Sequence, residues 1–338
     1  MNEAKILIIG PAWVGDMMMA QVLFQLLHQQ YPDCELHVLA PAWSEPLLSR
    51  MPEVQKSIVL PFGHGQLQLR ARYQFAKSLR AEKYTQAIVL PNSWKSALIP
   101  FWAKIPVRTG WLGESRYGIL NDARKLDKKK YTTMAQRFAA LAFDHDGVAL
   151  TNLPAPNLLL DKETIDQALD KFKLSESLQK PILALCPGAE FGPSKCWSAD
   201  YYAQVANQKI SEGWDVWIFG SQKDATIAEQ IQSQTQSKCV NLAGKTTLSE
   251  AIDLLSLAHC VVTNDSGLMH VAAAVGCKII VIYGSTSPDF TPPLTDKAII
   301  LKTNLDCQPC FKRECPLKHH HCMKFITPEQ VLAKIRGR

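Results

Sequence analysis

The sequence predicts an α/β protein built from two doubly wound domains. Short buried strands alternate with helices along most of the chain, as they do in parallel sheets covered by helices. The chain has 338 residues, which is more than one hydrophobic core usually serves. A proline-bearing stretch at 146–161 lacks a regular period and is the predicted linker. We therefore expect one domain over 1–153, a second over 154–325, and a closing helix over 326–338 that returns to the first domain.

The composition is that of an ordinary globular protein, with 47% hydrophobic and 20% charged residues. Apolar runs all stay well short of the ~20 residues that a membrane-spanning helix needs. The first ten residues lack the basic start and the cleavage site of a secretory signal. We expect a cytoplasmic protein whose ten cysteines are mostly reduced.

The net charge of +6 is concentrated in one half of the chain. Residues 1–150 hold 18 Lys or Arg against 12 Asp or Glu, whereas residues 151–338 hold 19 of each. A basic first half favours an anionic partner, which could be nucleic acid, an acidic saccharide or an anionic membrane surface. Solvated lysines that bind nothing are the alternative.

The first strand, residues 5–10, leads through a loop at 10–16 into a helix over 17–29. The two glycines of this loop are five residues apart, and Asp16 stands where a P-loop carries lysine, so neither nucleotide fingerprint fits. A carboxylate there repels phosphate but suits a hydroxyl group. Asp16 is therefore a candidate general base, with helix capping as the alternative.

The alternation then continues through the first half. The predicted elements are strands at 35–40, 57–60 and 87–90 and helices at 44–50 and 67–81. Polar loops follow at 61–65 and 91–95, and the segment 107–121 mixes arginines with aromatic residues, which suits an acidic sugar or single-stranded nucleic acid. The candidate ligand-binding residues in the loops of this half are Trp13, His64, Asn92, Lys95, Arg116 and Tyr117.

The second half repeats the pattern with loops that suit phosphate. A strand at 182–186 opens a loop at 187–197, where Lys195 precedes a helix and is a candidate phosphate clamp. A solvent-facing lysine is the alternative. Another strand, at 215–219, ends near Asp224, which is placed to meet ribose hydroxyls.

The densest pattern is a βαβ unit at 257–288, whose two strands both end in polar loops. Ligands of parallel sheets bind outside such strand ends, where helix N–H groups attract anions. We expect the loops to bind a phosphorylated ligand, with Asp265 as a helix N-cap or a partner of His270. An ordinary turn is the alternative. The candidate ligand-binding residues of this half are Gly188, Ala189, Asp224, Asp265, Ser266, Gly267, His270 and Thr286, and Ser285 also lies in the second loop.

The tail contains four cysteines within sixteen residues, which could close a tetrahedral zinc site. They are Cys307, Cys310, Cys315 and Cys322. The alternative is a reduced, cysteine-rich loop packed on the domain. A second metal-like pattern, Asp144-His145-Asp146, is interpreted as chance because it lies between a helix and the linker.

Four motifs together resemble the ADP-heptose:lipopolysaccharide heptosyltransferases, which form glycosyltransferase family nine. They are GPAWVGDM at 10–17, PGAEFGPSKCW at 187–197, NDSGLMHVAAA at 264–274 and GSTSP at 284–288. Within the family, the loop at 61–65, the segment at 108–122 and the four-cysteine tail are most similar to the second heptosyltransferase.

The resemblance implies a GT-B arrangement, in which two Rossmann-like domains face each other across a cleft. It also implies an inverting transfer of L-glycero-D-manno-heptose from ADP-heptose to the first heptose of the inner core, without a required cofactor or catalytic metal. The acceptor would be heptosylated Kdo-lipid A at the cytoplasmic face of the inner membrane, with peripheral membrane contact and no nucleic acid. Asp16 would be the base, Lys195 the phosphate-binding lysine, and Asp224 the ribose-binding acid. The candidate residues of the first half would bind the acceptor, and those of the second half would bind the donor.

Alternatives within and beyond the family stay open on the sequence. The first and third heptosyltransferases share the motifs, and a nucleotide-sugar epimerase shares the two-domain cleft but needs no acceptor. A zinc-bearing nucleic-acid-binding protein would use the basic half and the cysteine tail, but the phosphate loops then fall in the neutral half.

Overall fold

The computed structural model describes residues 4–63, 66–143 and 150–335. The chain divides into two compact units, 1–156 and 157–338, so the division falls three residues after the predicted boundary. Within the described residues, each unit holds one six-stranded parallel sheet.

The first unit alternates strands and helices in chain order. Its strands are β1 (Lys5–Ile9), β2 (Glu35–Ala40), β3 (Lys56–Val59), β4 (Gln86–Val89), β5 (Val107–Trp111) and β6 (Asp122–Arg124). Its helices are α1 (Val14–Gln30), α2 (Glu45–Leu48), α3 (Leu69–Ser78), α4 (Trp94–Trp102) and α5 (Met134–Ala139).

The second unit repeats this alternation. Its strands are β7 (Ile182–Cys186), β8 (Asp215–Ile218), β9 (Val240–Asn241), β10 (Cys260–Asn264), β11 (Ile279–Tyr283) and β12 (Ala298–Lys302). Its helices are α6 (Lys162–Phe172), α7 (Ala199–Ser211), α8 (Ala225–Gln234), α9 (Leu248–Leu255), α10 (Gly267–Ala274), α11 (His321–Lys324) and α12 (Pro328–Ile335).

Both sheets have the strand order of a Rossmann-like domain. The first runs β3-β2-β1-β4-β5-β6, and the second runs β12-β11-β10-β7-β8-β9. The order reverses between β1 and β4 in one sheet and between β7 and β10 in the other, and such switch points open the crevice where doubly wound sheets bind ligands. The predicted fold class, α/β with two Rossmann-like doubly wound domains, is confirmed.

The cores follow from the sequence pattern of the central strands. Every residue of β7, β10 and β11 is buried, as expected for strands covered by helices on both faces. In the first unit β1 and β4 are likewise buried except at their first residues. Such fully apolar strands fix the sheet, and the loops that leave their carboxyl ends carry the polar residues.

The last helix, α12, corrects one expectation. Val331 and Ile335 are buried in the core of the second unit, and α12 packs against α7. The sequence led us to expect a return to the first domain, but the apolar stripe of α12 is used within its own unit.

The described residues include no helix that is both long and apolar enough to cross a bilayer.

Candidate active site

The switch point of the second unit gathers the loops that the sequence assigned to the donor. β7 and β10 are neighbours, so the loops after Cys186 and Asn264 leave the same edge of the sheet on either side of the reversal. The loop after β11 lies at that edge as well, because β11 pairs in parallel with β10. Three predicted loops are therefore brought together by strand order alone.

Lys195, Asp265 and Thr286 form one hydrogen-bonded group at this edge. The Lys195 ammonium donates to the Asp265 carboxylate at 2.7 Å and to the Asp265 carbonyl oxygen at 3.3 Å. The Thr286 hydroxyl donates to the same carboxylate oxygen, at 2.5 Å. The side chains of Lys195 and Asp265 are 13% and 5% exposed, so this is a largely desolvated ion pair.

This group changes the roles expected for two residues. Asp265 was expected to cap α10 or to bond His270, but its carboxylate is held by Lys195 and Thr286. Thr286 was expected to donate to the donor's phosphates, but its hydroxyl hydrogen is already given to Asp265. The reason is electrostatic, because a buried carboxylate is costly unless it is paired with a cation and hydrogen-bonded, and Lys195 and Thr286 provide both.

The N-terminus of α10 faces this group. Ser266, the N-cap residue, has extended backbone angles and makes no side-chain cap bond within the part of the chain that the structure describes. The first N–H groups, beginning at Gly267, therefore carry the partial positive charge of a helix start. Together with the Lys195 ammonium they form a site suited to phosphate.

His270 lies one turn into α10 and is buried. Burial lowers the pKa of His270 to about 4; the nearby Asp265 carboxylate opposes this shift and the Lys195 ammonium adds to it. At neutral pH the imidazole is therefore uncharged, so it adds no positive charge to the site.

Asn264 is the functional residue that the sequence analysis missed. Its side chain is fully buried, and its amide group donates to the Pro187 carbonyl oxygen at 2.6 Å. Its side-chain oxygen accepts from the Trp197 backbone N–H at 3.2 Å and from the Tyr202 hydroxyl at 3.1 Å. Asn264 therefore ties the end of β10 to both ends of the lysine-bearing loop. A polar residue that ends a buried strand was the feature that could have revealed it.

Gly188 and Asp224 also meet, as the donor prediction requires. A side chain added at Gly188 would place its Cβ 2.4 Å from the Asp224 carboxyl group, so the loop after β7 and the loop after β8 are in contact there. Asp224 accepts from the N–H and hydroxyl of Ser221, both at 2.8 Å. Ala189 lies beside Gly188 and is partly exposed.

Residues of the cysteine-rich tail hydrogen-bond to the loop after β7, at Ser194, and to the end of β11 and its following loop, at Tyr283 and Gly284. The Gln308 amide donates to the carbonyl oxygens of Tyr283 and Gly284, at 3.1 and 2.9 Å. The Ser194 hydroxyl donates to the Lys312 carbonyl oxygen, at 2.5 Å, and lies 2.8 Å from the Ser285 hydroxyl oxygen. Ser285 is 2% exposed, so it holds the loops together and is not presented to phosphate as the sequence suggested.

The four tail cysteines line one cavity, together with His319 and His320. The backbone N–H of His320, with those of three neighbouring residues, lowers the pKa of the Cys315 thiol. Nevertheless, no three His, Cys, Asp or Glu side chains among the described residues are arranged to hold a metal ion. Structural zinc therefore stays a prediction. The pattern at 144–146 lies outside the described residues.

The switch point of the first unit carries the candidate base. β1 and β4 are neighbours, and the loops that follow them hold Trp13 and Asp16 on one side and Asn92 and Lys95 on the other. Asp16 lies in the first turn of α1, where the helix dipole favours a negative charge. Trp13 is the N-cap residue, so Asp16 does not occupy the capping position considered as its alternative role.

Two of the other acceptor residues differ sharply in placement. Arg116 is fully buried, and its guanidinium donates to the carbonyl oxygens of Pro91, at 2.7 Å, and of Trp111. Burial lowers its pKa, and the Glu114 carboxylate opposes that shift. The expectation that Arg116 binds the acceptor is therefore wrong in this structure, because the side chain has no exposed surface and both terminal nitrogens donate to backbone carbonyl oxygens. Tyr117 is 75% exposed, and His64 lies outside the described residues.

The fold and the site define a doubly wound α/β protein whose second unit carries loops with the chemistry that suits a phosphate-bearing ligand. The chain belongs to glycosyltransferase family 9 (heptosyltransferase), whose family model matches residues 72–321. The family resemblance seen in the sequence is confirmed.

Full-length relatives are similar to this chain. It is 50% identical to lipooligosaccharide heptosyltransferase 2 of Haemophilus influenzae and 46% identical to lipopolysaccharide heptosyltransferase 2 of Escherichia coli K12, with 98% of each chain covered in both cases. Among solved structures, the E. coli ADP-heptose lps heptosyltransferase II matches with a TM-score of 0.87 at 43% identity, covering 98% of this chain and 97% of that one.

Proposed function

We propose that this chain is an inverting heptosyltransferase that moves L-glycero-D-manno-heptose from ADP-heptose to the first heptose of the lipopolysaccharide inner core. The names of its full-length relatives support the reaction and the acceptor class. The observation that carries the proposal is the second switch point, where Lys195 and the start of α10 concentrate positive charge beside Asp265. This arrangement suits the diphosphate of a nucleotide sugar.

In the proposed reaction the acceptor hydroxyl attacks the anomeric carbon of the heptose. Asp16 takes the hydroxyl proton, the new carbon–oxygen bond forms, and the bond to the diphosphate breaks with its electron pair left on ADP. Lys195 and the α10 N–H groups stabilise the charge that develops on ADP. These groups supply the charge compensation that a metal gives in other transferases, so we propose that no catalytic metal is required.

The rest of the donor site follows from its contacts. Asp224, which is adjacent to Gly188, is assigned to the ribose hydroxyls because its second carboxylate oxygen makes no bond with Ser221. Trp13, Asn92, Lys95 and Tyr117 are assigned to the acceptor. We also propose that the protein works at the cytoplasmic face of the inner membrane through peripheral contact, since its acceptor would be a membrane lipid.

Calorimetric titration of the full chain with ADP, UDP and GDP, without added metal, tests the donor assignment. We expect ADP to bind selectively. Preference for UDP, or the absence of binding to all three, would overturn the proposal.

Product analysis separates the related reactions. With ADP-heptose and an acceptor that carries one heptose, we expect a product with two heptoses. Transfer only to an acceptor without heptose would indicate the first heptosyltransferase, and conversion of the donor alone would indicate an epimerase.

The variant Lys195→Ala tests the phosphate clamp. We expect weaker ADP binding and slower transfer, together a loss of about 10- to 1000-fold in kcat/KM, because a desolvated charge contact is removed. Lys238→Ala, at an exposed lysine of the same unit, is the matched control. Unchanged ADP affinity in Lys195→Ala would exclude the clamp.

A further inference from the structure

The charge of the first unit is concentrated in one segment. Residues 54–113 contain nine Lys or Arg and one Asp or Glu, namely Glu82. That single carboxylate is already bound by Lys5 and Lys56, at 2.9 and 2.8 Å. The segment forms β3, α3, β4, α4 and β5, so its remaining basic side chains lie on or beside two packed helices.

The same two helices expose large apolar side chains. Leu69 and Tyr73 of α3 are each 43% exposed, and Phe101 at the end of α4 is 40% exposed. Leu69 and Tyr73 are four residues apart and share one side of α3. The ring of Tyr73 contacts that of Trp102 at 5.7 Å, which joins the exposed side of α3 to the end of α4.

Two lysines flank this apolar surface. Lys77 follows Tyr73 by one helical turn, Lys104 follows the end of α4, and both are exposed. The Arg108 guanidinium lies over the Phe101 ring at 5.5 Å, but it donates to the carbonyl oxygens of Ile105 and Ile119, at 2.6 and 2.7 Å, so it has a structural role. Exposed apolar side chains flanked by lysines are typical of proteins that rest on anionic membranes, where the apolar groups enter the interface and the cations meet the headgroups.

We propose that the α3–α4 surface, formed by Leu69, Tyr73, Phe101, Lys77 and Lys104, docks this protein on an anionic lipid bilayer. The inference deepens the proposed function, on which it rests for the membrane lipid acceptor. It also names the surface that makes the contact.

The ring geometry favours lipid over single-stranded nucleic acid. A nucleic-acid surface needs ring faces on which bases stack. Here Tyr73 and Trp102 meet edge to face at 84°, and the Arg108 guanidinium covers a face of Phe101. Leu69 adds an aliphatic side chain, which offers no plane for base stacking but is stabilised by burial among the lipid acyl chains.

Co-sedimentation of the full chain with vesicles tests the docking surface. We expect binding to vesicles of phosphatidylcholine mixed with phosphatidylglycerol, little binding to phosphatidylcholine alone, and release as salt rises. Equal binding to both vesicle types, or binding to single-stranded DNA but to neither vesicle, would overturn the proposal.

Two double variants locate the surface. Lys77→Gln with Lys104→Gln should lower the vesicle partition coefficient about 25-fold, since each basic side chain at an anionic membrane contributes roughly fivefold. Leu69→Ser with Phe101→Ser should lower it by about tenfold or more, by removing the inserted apolar groups. The control is Leu178→Ser with Lys238→Gln, an exposed pair in the second unit, which should bind as the unaltered protein does. Wild-type binding by both surface variants would overturn the assignment.

Transfer to a deacylated, water-soluble acceptor separates this proposal from the proposed function. The surface variants should keep that transfer and their unfolding temperature while losing vesicle binding. If the unaltered protein transfers no heptose to the soluble acceptor, the proposed reaction is contradicted, whatever the vesicle experiment shows. If the surface variants lose vesicle binding and also unfold at a lower temperature, the loss of binding comes from misfolding, and this result counts against docking through these residues.

Discussion

The two switch points share a strand order but differ in how their polar residues are held. In the second unit Asn264 and Asp265 are 0% and 4% exposed, and each bonds to side chains or carbonyls of another loop. In the first unit Trp13, after β1, is 48% exposed, and Asn92, after β4, is also exposed. A site closed by buried hydrogen bonds is preorganised for a small ligand of fixed shape, whereas an open one can admit a large and variable ligand.

The difference also shows where a charged residue is used for structure. Arg116 in the first unit donates to the carbonyl oxygens of Pro91 and Trp111, and these bonds fix the loops after β4 and β5. Lys195 in the second unit is held by the Asp265 carboxylate, which lies just before the N-terminus of α10. Both cations are largely desolvated, and their hydrogen-bond partners differ.

The largest effect is expected from Asp16→Asn in the first unit. The amide keeps the size of the side chain but cannot take the acceptor proton, so kcat should fall by about 100- to 10,000-fold. ADP affinity, measured by calorimetry, should stay unchanged because ADP is assigned to the other unit. Turnover near that of the unaltered protein would remove Asp16 as the base.

The next effect is expected from Asn264→Leu in the second unit. The leucine fills a similar volume but leaves the Trp197 N–H, the Tyr202 hydroxyl and the Pro187 carbonyl oxygen without this partner, which should cost about 2–4 kcal/mol of unfolding free energy. Urea unfolding measures the loss. Asn207→Leu, at an exposed site where the amide donates to Gln234, is the control and should cost less than about 1 kcal/mol. Similar losses in both variants would show that the second switch point is not held by its buried network.

A pH effect of similar or smaller size is expected from His270. Its pKa of about 4 in the folded protein lies below the ordinary 6.5, so between these values the unfolded chain binds a proton that the folded chain does not. Stability from this group is complete above pH 6.5 and falls as pH drops toward 4, by roughly 3 kcal/mol at most.

Urea unfolding of the unaltered protein and of His270→Gln at several pH values isolates this component. The difference in unfolding free energy between the two proteins should change between pH 6.5 and 4 and stay constant from pH 7 to 8. A constant difference over the whole range would show that His270 is not buried uncharged.

The smallest effect is expected from Gln308→Ala, which removes the amide that holds the loop after β11. Losing these two neutral hydrogen bonds should weaken ADP binding by about fivefold, a cost of roughly 1 kcal/mol. Gln330→Ala, at an exposed side chain that accepts from the Thr327 N–H, is the control. If both variants bind ADP equally well, the cysteine-rich tail does not position the donor loops.

Much of the donor site could be predicted because its residues sit at strand ends. The apolar runs that became β7, β10 and β11 are unambiguous, and a polar residue just after such a run must lie at the carboxyl edge of the sheet. Asp265 and Ser266 were predicted in this way, whereas Lys195 was predicted from its position in a glycine-bearing loop just before a helix. Their partners were harder to predict, because Lys195 and Asp265 are 70 residues apart and meet only through the pairing of β7 with β10.

The two doubly wound units and their polar loops could be predicted from the sequence, because strand periodicity, glycine turns and helix starts are local properties of the chain. Which charges meet and which are buried depends on the tertiary structure. Arg116 became a structural residue, Asp265 became the partner of Lys195, and Asn264 became the tie between two loops. The physical reason is that desolvation penalises every unpaired polar group, and the available partners are known only once distant strands lie side by side.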